Sequence, residues 1–214
     1  MIIAKQSAQS QLCNKNKMKT SAFVILATFA VLISSNSRLI AQDDRNQAVN
    51  VCALAIPLMH MYVVNYEYLY QNHHGLAARI EYVPNMKGAD TKGNAWAGVI
   101  NYRWHFSPKL ENFFAGPYAR YRYVYGSGNV EGIKYEYDVP ELNFGLNGGY
   151  RWVSKIGFNV VLSAGYGYSF VKDNLTPSNK EVIEKFDAFK KANDTNSAIF
   201  DAPYYAEFSI GYVF

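Results

Sequence analysis

Cysteine is scarce: Cys13 and Cys52 are the only two in 214 residues. Two are too few for a disulfide framework, and no four-ligand Cys/His cluster is available for structural zinc. One free core thiol is the expectation. Charge is also thin, at 18% of residues. With 50% hydrophobic and 16% aromatic residues, the chain is too apolar to be a disordered tail, and it is too short for a large multidomain enzyme. Beyond residue 42 there is no run of 18 or more apolar residues, which excludes a polytopic helical membrane protein.

A true excess of basic charge is missing as well. Residues 1–42 carry Lys5, Lys15, Lys17, Lys19 and Arg38 and no acid, so the formal net charge of +4 resides in that stretch, and the remainder holds 16 basic against 17 acidic residues. A nucleic-acid partner, which needs a basic stripe in the folded domain, is not expected. Lys15, Lys17 and Lys19 precede an apolar run from Ala22 to Ile33, then the polar Ser34-Ser35-Asn36-Ser37 and Leu39-Ile40-Ala41-Gln42-Asp43, with cleavage near Ala41 or Gln42. Charged, apolar and cleavage regions in that order read as a secretory signal peptide over 1–42, with Met18 a candidate true start. Residues 43–214 are then the folded domain.

That domain alternates at a period of two. In one segment Trp96, Gly98, Ile100, Tyr102, Trp104 and Phe106 share one face, and Ala97, Val99, Asn101, Arg103 and His105 the other. Leu142, Phe144, Leu146, Tyr150 and Trp152 stand likewise against Glu141, Asn143, Asn147 and Arg151. Such alternation is the mark of strands with unlike faces. Eight segments follow: 48–58, 61–71, 76–84, 95–106, 113–126, 141–153, 156–171 and 203–214. The first is a nearly continuous apolar run containing Pro57.

Two very different proteins share this pattern. In a soluble sandwich or lipocalin-like barrel the apolar face is the core. In a membrane barrel it faces lipid, and the other parity points inward. Here Glu67, Arg79, Glu81, Arg103, Arg120, Arg122, Glu141, Arg151 and Glu207 all lie opposite the aromatic parity, among Gly, Asn and Ser. Small polar residues beside nearly balanced charges suit a narrow barrel interior, while Tyr and Trp suit a membrane interface. Connections alternate too: short after segments two, four and six, long after three (85–94), five (127–140) and seven (172–202). Only the link near Met59-His60 is short where a long one belongs. The expected fold is all-β, an eight-stranded antiparallel up-and-down transmembrane β-barrel.

The last segment runs Tyr204-Tyr205-Ala206-Glu207-Phe208-Ser209-Ile210-Gly211-Tyr212-Val213-Phe214. With its alternating aromatics and aromatic end, the chain resembles the small eight-stranded outer-membrane barrels of the OmpA/OmpX size class. It is most similar to a barrel family of unknown function common in Gram-negative bacteria. The resemblance covers about residues 48–214 and implies a place in the cell outer membrane. It further implies that Phe208, Tyr212 and Phe214 form the signal read by the barrel-assembly machinery. Outer-membrane lipid and lipopolysaccharide are the implied surroundings.

Chemistry is sparse. Eight strands leave room for little but side chains, so the inward Arg and Glu residues are expected to pair as a plug; a narrow gated channel is the alternative. Some eight-stranded barrels modify lipid A, and His105-Phe106-Ser107 offers His and Ser on one strand face. The topology puts that pair at the periplasmic end, away from outer-leaflet lipid A. His73-His74 has metal-ligand residue types without a third ligand. Neither enzymatic activity nor a cofactor or metal is expected. In the last long loop, Ser178-Asn179-Lys180-Glu181 fits a capping box, and Val182, Ile183, Phe186 and Phe189 recur at helical spacing. That helix is read as a lid on the barrel mouth, or as a surface for an extracellular ligand within 172–202. Tyr135-Glu136-Tyr137-Asp138 in the preceding loop either extends the strands or contacts a ligand. The role expected is structural or surface-interacting.

Overall fold

A computed structural model describes residues 45–87, 90–197 and 203–214. The leader over 1–42, the Met18 start and Cys13 lie outside these residues. The elements are β1 (Gln47–Val51), α1 (Ala55–Met59), β2 (Tyr62–Tyr70), β3 (His74–Lys87), β4 (Thr91–His105), β5 (Asn112–Val130), β6 (Ile133–Val153), β7 (Phe158–Val171), β8 (Asn174–Thr176), α2 (Lys180–Ser197) and β9 (Tyr204–Val213). From β1 to β7 each strand pairs antiparallel with the next, and β9 pairs with both β7 and β1. Eight strands thus close an all-β, up-and-down antiparallel barrel. β8 stands outside the ring, laid along Glu136–Asp138 of β6.

The stagger of the ring follows from its pairings. Starting at Val49 and stepping through Tyr66, Ala78, Ile100, Ala119 and Phe144, the register reaches β7 at Tyr168. Stepping the other way through Tyr212, it reaches β7 at Phe158, ten residues lower. Eight strands with a stagger of ten give a tilt of about 40° and a radius of about 8 Å. Such a tube holds one layer of side chains.

Two expectations need correction. The segment 48–58 is not one strand: β1 ends at Val51, and the apolar run continues as the single turn α1, with His60 closing it in the left-handed region (φ 51). An unbroken apolar run carries no period, and Pro57 suits a helical turn better than a ladder. The β1–β2 link therefore spans 52–61 and is not short. Second, 85–94 and 127–140 are mostly strand. β3 and β4 reach Lys87 and Thr91, and β5 and β6 reach Val130 and Ile133, the latter two joined by a tight turn at Glu131-Gly132. Tyr135 to Asp138 extend β6.

We call the end where β9 finishes the base and the other end the mouth. At the base, Gln71 and Asn72 take positive φ to make a short turn, and Gly157 (φ 93) turns β6 into β7. Leu110, in the link 106–111, folds inward against Ala48, Leu69 and Val213. At the mouth, β3 is bulged between Val83 and Met86. Cys52 is buried there and unbridged, its thiol 3.0 Å from the Phe208 carbonyl.

The wall is covered on its outside by large apolar side chains, Ile80 and Leu146 being 70% and 69% exposed. On β4, β5 and β7 small and aliphatic residues hold the middle of the outer face, and rings hold its ends. On β4 the outward series is Trp96, Gly98, Ile100, Tyr102, Trp104; on β5 it is Phe113, Ala115, Pro117, Ala119, Tyr121; on β7 it is Phe158, Val160, Leu162, Ala164, Tyr166, Tyr168. At ~3.3 Å per residue and that tilt, Trp96 and Trp104 stand about 20 Å apart along the axis.

Candidate functional site: the ion-paired interior and its lid

Inward parity delivers one polar side chain every second residue from each strand, so charges from non-adjacent strands meet on the axis. Glu67, Arg79, Glu81, Arg103, Arg120, Arg122, Glu141, Arg151 and Glu207 are all inside, none more than 6% exposed. They fall into two groups.

The group nearer the base centres on Glu67 and Glu207. Arg103 donates to both, at 2.6 Å to Glu67 and 2.8 Å to Glu207, and Arg151 donates to Glu67 at 2.6 Å. His105 Nε2 lies 2.7 Å from the other Glu67 oxygen. Asn65, Ser209 and Tyr205 donate to Glu207 at 2.8, 2.7 and 3.0 Å. Two carboxylates thus face two guanidiniums. Each charge is desolvated, and partners this close, with extra neutral donors, are what offsets that cost.

The group nearer the mouth has three guanidiniums on two carboxylates. Arg79 meets Glu81 at 2.7 Å, and Arg120 meets Glu141 at 2.8 Å. Arg122 lies between, at the longer distances of 3.8 Å from Glu81 and 3.6 Å from Glu141. Ser169 adds a donor to Glu141 at 2.9 Å and receives one from Asn143 at 2.7 Å.

Sequence parity did not single out two inward rings. Phe114 and Tyr205 seat Arg103 and Arg79 over their faces, with guanidinium carbons 4.4 and 4.9 Å from the ring centres. The available signal was their place on the charged parity, Tyr205 two residues from Glu207 and Phe114 six from Arg120.

Above the ions the interior turns apolar. Val83, Met86, Ala95, Val124, Tyr135, Tyr137 and Val139 point inward and meet Val182, Phe186 and Phe189 of α2. Val182 and Phe186 are wholly buried, while Ile183 is 40% exposed. α2 therefore lids the mouth with one stripe. Its cap differs from expectation: Asn179, not Ser178, accepts the Val182 backbone N–H at 2.9 Å. Lys185 holds Asp90 at 2.9 Å and Lys190 holds Asp173 at 2.6 Å, tethering the lid to both flanks. Burial beneath α2 raises the Tyr137 phenol above its ordinary range, so it stays protonated and donates to the Lys92 carbonyl at 3.3 Å.

The histidine candidates are placed at the base. His105 engages Glu67, and no hydrogen bond joins it to Ser107. His73 Nδ1 lies 2.7 Å from the His105 carbonyl and stacks on Trp104, while His74 Nδ1 lies 2.8 Å from the Tyr102 hydroxyl. Among the described residues no group of three or more His, Cys, Asp or Glu is arranged to hold a metal ion. Phe208 and Tyr212 lie on the outward parity of β9, and Phe214 exchanges both backbone hydrogen bonds with Gln47 at the seam.

Fold and interior together define a closed eight-stranded antiparallel barrel whose centre is filled by paired ions and whose mouth is covered by an amphipathic helix. Residues 23–214 match the family described as "Protein of unknown function (DUF3575)", and the chain belongs to that family. No curated protein matches it.

Proposed function

We propose that this chain is a β-barrel of the cell outer membrane, of the OmpA/OmpX size class. In this reading it serves a structural or surface-interaction role, with a plugged interior and no enzymatic activity. The observation that carries it is an inversion of polarity at one level of the wall. Below that level rings and aliphatics face out and ions face in; above it Tyr135, Tyr137 and Val139 face in while Lys134 and Glu136 face out. A soluble barrel has no reason to reverse its faces partway along a strand. A barrel leaving hydrocarbon for water does, and the aliphatic band between two ring girdles approaches the roughly 25 Å belt of such proteins. Hydrophobic patches of this extent exposed to water would drive aggregation.

In this reading the base is periplasmic, and outer-membrane lipid and lipopolysaccharide are what the outer wall meets. Phe208, Tyr212 and Phe214 are read by the barrel-assembly machinery, and an extracellular ligand is met through 172–202. Fractionation tests the placement: the protein is expected in outer membranes, extractable only with detergent and heat-modifiable on gels. Recovery as a soluble periplasmic protein would overturn it. Planar bilayers containing the protein are expected to stay silent; conductance lost on changing Arg120 or Arg122 would instead establish a channel. Lipid A mass is expected to be the same with and without the protein, and a shift abolished by Ser107→Ala would make it an enzyme.

A further inference from the structure

Above the level where polarity inverts, one patch of the outer wall sets two ammoniums side by side, and among the described residues neither has an acidic partner. On β4 the outward residues going up are Trp96, Asn94 and Lys92; facing them on β3 are Tyr82, the bulge at Pro84-Asn85, and Lys87. Lys87 and Lys92 are register partners, exposed on the same face. Like charges directly opposite one another on a ladder repel and destabilise it. The local sequence does not relieve this. Asp90, the single acid between Pro84 and Ala95, is held by Lys185 of the lid at 2.9 Å. Ser127, the neighbour of Lys92 on β5, is neutral. The Asn85 backbone N–H donates to Asn94 Oδ1 at 3.1 Å, which leaves the Asn94 Nδ2 hydrogens as further donors.

Rings, then an amide, then two ammoniums, over about 10 Å along the axis, follow the order of acyl chain, headgroup sugar and phosphate. We propose that Lys87, Lys92 and Asn94 form a recognition site for a phosphate group on the headgroup of a membrane glycolipid, seated above Tyr82 and Trp96. The bound phosphate neutralises the facing ammoniums and takes the amide hydrogens, while the rings hold the lipid below. This inference rests on the outer-membrane reading.

The test uses the full protein extracted from membranes, with heat-modifiable migration as the check that it is a folded barrel. Native mass spectrometry then counts lipid retained from detergent micelles doped with bis-phosphorylated lipid A or with its dephosphorylated form. Retention of the phosphorylated form is expected to be greater by roughly tenfold or more, and Lys87→Gln with Lys92→Gln is expected to abolish that preference. Lys155→Gln, at the base, is expected to keep it. Equal retention of both lipids, or an unchanged preference in the double variant, overturns the site while the barrel reading stands. Complete competition by millimolar inorganic phosphate would mark a soluble-anion site instead and overturn the lipid assignment. Absence from the outer membrane removes the reading beneath both.

Discussion

The lower and upper parts of β6 hide opposite kinds of side chain. Between Glu141 and Trp152, Glu141, Asn143, Asn147 and Arg151 are buried and Leu142, Phe144, Leu146, Tyr150 and Trp152 are exposed. Between Lys134 and Val139, Tyr135, Tyr137 and Val139 are buried and Lys134 and Glu136 exposed. The ladder to β5 runs unbroken through both parts, so backbone geometry does not cause the reversal. The surroundings do. The difference also changes how each part tolerates damage. A buried ion pair adds little over an apolar pair of the same volume, yet losing one partner strands the other. Apolar packing fails in proportion to what is removed.

The strongest way to break this contrast is Glu67→Leu. It leaves Arg103, Arg151 and His105 without their shared carboxylate, and a loss of about 5 kcal/mol is expected, read as a heat-modifiable band that no longer forms. Phe186→Ala strikes the upper part and is expected to cost about 3 kcal/mol. Its effect stays with the lid, so proteolysis within 172–202 quickens while the barrel band persists. Leu146→Arg places a charge on the outer wall at mid-height and is expected to cost ~2–4 kcal/mol in bilayer refolding, whereas Glu136→Arg, above the inversion, costs ~0–1. Equal costs for the two would erase the boundary. Smallest is Arg122→Met. Arg122 sits at the longest ion-pair distances of the interior, beside two other guanidiniums, so a change within about 1 kcal/mol of neutral is expected in urea titration.

Parity made most of the barrel legible in the sequence, because a pleated strand between unlike surroundings must alternate. It placed the nine charged residues on one face, and the structure gathers them inside. Pairing was not legible: that Arg103 spans Glu67 and Glu207 depends on the stagger of ten, which no local pattern encodes. Strand ends are not legible where the pattern reverses. Ser127 to Pro140 looked like loop because its apolar residues, Tyr135, Tyr137 and Val139, had moved to the opposite parity. Segment 48–58 failed because its run is apolar on every position. The lid stripe was legible from helical spacing alone, but its cap was misassigned by one residue, since Ser178 and Asn179 both suit the role.

The joint between β1 and β9 has four register pairs, against nineteen between β5 and β6. It brings together residues from opposite ends of the described chain, and β1 is bound on its other side by only five pairs. Of all the staves in this cask, β1 is held by the fewest register pairs, so lateral parting under heat or extraction is expected to begin at that strand.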